Sequence, residues 1–211
     1  MKRSRWILAA TAVTALVAQR QDTEPPLKLQ LEVNGESIEV QLDTPFEVQI
    51  DGKAVAMRLS ASATRHFTYG GVEFDYPSGF AFEADLENEV VKLWNLDGSS
   101  AVIMVQTYAA MDIDTLTTLV VDEIVTGYES MQAQVKRETI TLEGSEYQAE
   151  QVTVRVADQP IQQAILGFAA EDAAIVIILQ DSLQEDGTNS AEFEEAREMF
   201  VSSFKVTRPA D

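Results

Sequence analysis

Val72-Glu73-Phe74-Asp75-Tyr76-Pro77-Ser78-Gly79-Phe80-Ala81-Phe82-Glu83-Ala84-Asp85 sets aromatic side chains at alternate positions on both sides of a Pro-Ser-Gly corner. Phe74 and Tyr76 before the corner, and Phe80 and Phe82 after it, give the period of two expected of half-buried strands. Proline presets φ for a turn and glycine tolerates positive φ, so the corner has a mechanism. The stretch predicts two strands of one antiparallel sheet, and the rest of the chain is read outward from it.

Downstream, the stretches Val90 to Leu96, Ala101 to Tyr108, Gln134 to Leu142, Glu146 to Val156, Ile161 to Ala169 and Ala173 to Gln180 read as further strands joined by short polar or glycine-containing turns. The last of these, AAIVIILQ, is apolar enough to be central and buried on both faces. Between them the period changes to about 3.6. Ile113, Leu116, Val120, Ile124 and Tyr128 share one helical face, with Asp112 or Asp114 as N-cap. A closing helix presents Phe193, Ala196, Phe200 and Phe204, with Asn189 as expected N-cap and Glu192 in capping-box position.

Upstream, Leu27 to Leu59 alternates in four short runs, with Asn34-Gly35 and Asp51-Gly52 as hairpin turns. This predicts a small antiparallel β-meander. The fold class expected is therefore α+β: an antiparallel sheet covered by two main helices and preceded by that meander. The divisions are a signal peptide at 1–18, a flexible tether at 19–26, the meander at 27–59, a linker at 60–65, the α+β domain at 66–206 and a tail at 207–211.

The basic start Met1-Lys2-Arg3-Ser4-Arg5 and the apolar run from Trp6 to Ala18 carry the features of a secretory leader, the run being short for a membrane span. The expected location is the periplasm or the medium, with no membrane span in the mature chain; an uncleaved anchor is the alternative. The chain has 211 residues and no cysteine, which excludes disulfides, thiolate metal sites and a cysteine nucleophile. Stability must come from core packing, and chains of this size bury about 70% of their unfolded surface. With 35 acidic against 15 basic residues the net charge is −20. Such a field argues against nucleic acid and anionic membrane surfaces as partners.

The elements Tyr76-Pro77-Ser78-Gly79-Phe80, the helix start Asp112-Ile113-Asp114-x-Leu116, the turn Thr141-Leu142-x-Gly144 and the close Ser202-Ser203-Phe204-Lys205 occur in an order that resembles the PsbP-like superfamily, including its bacterial DcrB-like exported proteins. The resemblance spans about Phe67 to Val206. It implies a mostly non-catalytic protein, an accessory of an envelope complex whose partner is another envelope protein, and it carries no catalytic motif onto this chain.

Candidate chemistry is sparse. His66 is the only histidine, and no Gly-x-Ser-x-Gly elbow accompanies it. Asp85, Glu87 and Glu89 alternate in one turn, and Glu185, Asp186 and Asn189 cluster before the last helix, so each group could offer oxygen ligands to calcium or manganese. Neither matches an EF-hand loop, and solvated turns are the simpler reading. Trp94 and Met104 read as core. The expected function is an exported non-catalytic binding protein without a cofactor; the alternatives are a hydrolase using acidic residues and a calcium- or manganese-responsive module.

Overall fold

The computed structural model describes residues 29–128, 131, 133–170 and 173–207. The expected signal peptide and tether lie outside these residues. The chain divides into two compact units, one ending at Ala63 and the other beginning at Thr64.

The first unit holds β1 (Leu29–Val33), β2 (Glu36–Val40), β3 (Phe46–Ile50) and β4 (Lys53–Met57). Asn34 and Gly35 both take positive φ, as a tight hairpin turn requires, and β1 pairs with β2 while β3 pairs with β4. The expected four-stranded meander is thus two separate two-stranded sheets. Asp43 is the reason. It turns the chain at positive φ, its N–H donates to Leu59 O at 2.8 Å, and its carboxylate accepts from Ser60 at 2.7 Å. The link between the hairpins is thereby tied to the exit of the second hairpin, and β2 does not run alongside β3.

The second unit contains β5 (Thr64–Tyr69), β6 (Val72–Pro77), β7 (Ala81–Asp85), β8 (Val91–Asp97), β9 (Ala101–Ala109), α1 (Ile113–Gly127), β10 (Gln134–Leu142), β11 (Ser145–Val156), β12 (Gln159–Ala169), β13 (Ala173–Ser182), α2 (Ala191–Ser203) and β14 (Lys205–Val206). Seven strands form one antiparallel sheet in the order β10-β11-β12-β13-β9-β8-β7. The apolar β13 lies at its centre. A second, three-stranded sheet has the order β14-β6-β5.

This corrects the expected fold class. Among the described residues the chain is predominantly antiparallel β, with fourteen strands against two helices, and it is not an α+β sheet covered by two main helices. The aromatic corner does not join neighbours of one sheet. β6 ends at Pro77 in the small sheet and β7 begins at Ala81 at the edge of the large one, so the corner carries the chain between sheets. Phe80 N–H donates to Pro77 O at 3.1 Å to close it, and Gly79 is not at positive φ. Thr64–Tyr69, assigned by sequence partly to a linker, is the strand that pairs with β6 through Phe67↔Phe74.

The large sheet's two faces are closed differently. On one, Trp94, Leu96, Ile103, Ile177 and Phe168 meet Phe67 and Phe74 of the small sheet and Phe200 of α2 in one buried cluster. On the other, Val152, Ile165, Val176 and Ile178 lie under Leu116 and Val120 of α1. α1 can come down onto β12 because position 167 is glycine: a Cβ there would collide with Thr117 Oγ1 and crowd Ile113. Asp112 caps α1 as expected, accepting from Thr115 N–H at 3.0 Å.

Candidate functional site

His66 lies on β5 and is half-exposed, with Nδ1 2.6 Å from Asp75 Oδ1 and Nε2 3.9 Å from Glu73 Oε2. A serine does come near this pair: Ser203 Oγ accepts from Asp75 N–H at 2.7 Å. It donates to Met199 O at 2.6 Å, however, so its hydroxyl proton is engaged within α2. The arrangement pins α2 to β6.

The acidic turns are engaged locally. Asp85 Oδ1 accepts from Glu87 N–H at 3.3 Å, and Glu87 and Glu89 are exposed. Asp186 Oδ1 accepts from both the N–H and the hydroxyl of Thr188, which lowers its pKa. Asn189 donates to Glu194, and Glu185 is exposed. Among the described residues no group of three or more His, Asp or Glu side chains is placed to hold a metal ion.

Sequence reasoning missed a buried acidic network at the start of α2. Ser190, not Asn189, is the N-cap: its Oγ accepts from Phe193 N–H at 3.1 Å and donates to Asp181 Oδ1 at 2.7 Å. Asp181 is fully buried and also accepts from Ser190 N–H at 2.9 Å. Burial pushes its pKa up, the two Ser190 hydrogen bonds oppose this, and the charges of Glu194 and Glu192 add to the rise. Glu192 does not complete a capping box. Its carboxylate turns to the β8–β9 turn and accepts from Ser99 N–H at 2.9 Å, Ala101 N–H at 3.0 Å and the Ser100 amide. Burial acts to raise the Glu192 pKa, and those donors overcome it, so the group stays below the usual range. Gly98 leaves the space this requires, since a Cβ there would lie 2.7 Å from Glu192 Cδ. Two carboxylates with opposite shifts are what acid–base chemistry needs. Here, though, the chain's own donors occupy both, and the result is a latch joining β13, α2 and the β8–β9 turn.

The remaining candidates are surfaces. A groove of about 670 Å³ between β10 and α2 is lined in part by Glu194, Glu195 and Glu198, and its Arg197 already pairs with Glu138 at 3.0 Å. At the opposite side of the sheet is β7. Every residue of β7 is exposed, and within the sheet it pairs only with β8. The exposed aromatic side chains of the described residues, Tyr69 and Phe82, come together here, 6.0 Å apart. Tyr69 stacks on the buried Trp94, also at 6.0 Å, and Leu86 and Val90 in the following loop are half-exposed. Trp94 belongs to the core as expected, whereas Met104 is only partly buried, on the opposite face of the sheet. Among the described residues this open edge, with Phe82 and Tyr69 beside it, is the candidate interaction surface, because it offers backbone groups and an apolar platform to an incoming strand. Its signal in the sequence was the apolar character of Phe82, Leu86 and Val90; that β7 is an edge follows from topology.

No family model matches the chain, and no curated protein matches it significantly. Among solved structures, one from Bacteroides thetaiotaomicron is similar over 70% of this chain at 9% identity and a TM-score of 0.43. The chain spans half the length of that protein. A Pseudomonas aeruginosa protein of unknown function is similar over 59% of this chain and 86% of its own, at 9% identity and a TM-score of 0.32. No helix among the described residues is long and apolar enough to cross a membrane.

Proposed function

We propose that this chain is an exported binding protein of the cell envelope, an accessory that holds another envelope protein at the β7 edge. The observation that carries the reading is the fully exposed edge strand with Phe82 and Tyr69 beside it. The basic and apolar start of the sequence supports export. A photo-crosslinking amino acid at position 82, introduced in the native host and followed by fractionation, tests both parts. A discrete crosslinked envelope product is expected. A chain found only in the cytoplasm would overturn export, and crosslinking only to solvent would overturn the docking role.

A further inference from the structure

The two sides of β7 carry opposite chemistry. By the alternation of the pleat, Phe82 and Ala84 project to the side where Phe82 meets Tyr69 and Ala84 pairs with Trp94, whereas Glu83 and Asp85 project to the other side, Glu83 paired with Asn95. From Ala81 to Val91 the sequence holds Glu83, Asp85, Glu87 and Glu89 and no Lys or Arg. One strand further in, Asp97 has its pKa raised by burial and by the charge of Glu83. Beside it, Asn95 Oδ1 is buried without a hydrogen-bond partner. This side of the edge has surplus negative charge and is short of donors.

Building on the reading of the chain as a binding protein, we propose that β7 takes up an extended segment of a partner protein as an additional strand, in which apolar residues alternate with Lys or Arg. Backbone N–H and C=O groups along the open edge supply the ladder. The partner's apolar residues cover Phe82 and Tyr69, and its cations face Glu83 and Asp85. The same charges disfavour a second copy of this chain, because β7 against β7 would set carboxylates opposite carboxylates, and like charges across a strand pair are destabilising. The other edge of the sheet is defended differently. β10 carries Lys136 and Arg137, with Arg137 bound to Glu150 at 2.7 Å, the basic guarding common on edges that do not pair.

Three synthetic peptides of about seven residues, within the usual range of strand lengths, test the inference on the full chain. All share the same apolar residues: in the first these alternate with Lys and Arg, in the second with Glu, and the third has the composition of the first with its cations in one block. By fluorescence anisotropy the first is expected to bind at least about tenfold more tightly than the others, with amide exchange slowed at Ala81–Asp85. The exposed-site variants Glu83→Lys and Glu83→Gln should each weaken it, the reversal more than the neutralisation, and added salt should weaken it further. Equal binding of the blocked peptide, protection on β10 instead of β7, or a dimer of the chain that Phe82→Glu abolishes would each overturn the proposal. If all three peptides fail while position 82 crosslinks to an envelope protein, the partner chemistry is wrong and the binding role stands. If the first peptide binds β7 of a chain that stays in the cytoplasm, the strand inference stands and export falls.

Discussion

One face of the large sheet is closed by a second layer of strands together with a helix, and the other by a helix alone. On the first face the buried side chains are large and aromatic: Phe67 stacks on Phe74 at 4.7 Å and Phe74 meets Phe200 at 5.0 Å. On the second they are mostly aliphatic, and α1 packs chiefly on β11, β12 and β13, leaving Leu93, Asn95, Asp97 and Met104 only partly buried. Aromatic layers bury more area per residue and add ring–ring attraction. The aromatic face should therefore hold most of the molecule's stability, and the α1 face should yield first.

The largest expected effect tests that ranking. Phe200 is fully buried, and Phe200→Ala should cost about 3–5 kcal/mol, more than Leu116→Ala on α1, for which the range is about 2–5 kcal/mol, measured by denaturant unfolding. Equal losses would break the contrast. Next, Gly167→Val should lift α1 and cost about 1–3 kcal/mol through overpacking. The near-ultraviolet circular dichroism of the aromatic face should meanwhile persist.

The acidic latch belongs to the aromatic face and makes stability depend on pH in two directions. Glu192 has a depressed folded pKa, so its contribution is present above the unfolded pKa and is lost as pH falls through the folded one. Glu192→Gln should cost about 1–2 kcal/mol at neutral pH, a charge-assisted hydrogen-bond value reduced for its partial exposure, and the difference from the parent should shrink on acidification. Asp181 has a raised folded pKa, so a native-state penalty grows as pH rises from the unfolded value through the folded one. Asp181→Asn removes that penalty while losing an acceptor for Ser190, so its melting temperature relative to the parent should climb with pH. A flat difference for either variant would remove the latch from the account. The smallest effect sharpens the weaker face: Asp112→Ala deletes the α1 cap and should lower the melting temperature by less than any substitution above.

Local order was legible wherever a residue's neighbours in sequence are its neighbours in space. The Asn34-Gly35 hairpin, the Asp112 cap and the stripe of Phe193, Ala196, Phe200 and Phe204 all follow from short-range rules, and each is present. Alternation says which side chains share a face, not which strand lies alongside. Phe74 and Phe82 therefore looked like one sheet, although β6 and β7 belong to two. The N-cap moved from Asn189 to Ser190 because either residue type caps well, and the choice was made by Asp181 nine positions away. Glu192 left the capping box for amides about ninety residues upstream. The calcium or manganese reading of Asp85, Glu87 and Glu89 came from their spacing. In three dimensions the same carboxylates flank an exposed aromatic edge, where the sequence alone offered no reason to put a protein strand.

Nine rings touch in series: Phe82, Tyr69, Trp94, Phe67, Phe74, Phe200, Phe204, Phe168 and Tyr147, each within 6.1 Å of the next. They begin in solvent at one rim of the large sheet and end on β11, next to the opposite rim. Interiors packed this tightly have little slack to absorb a push. The indole third in line stacks on Tyr69, so a ligand on the outermost ring is expected to change its fluorescence.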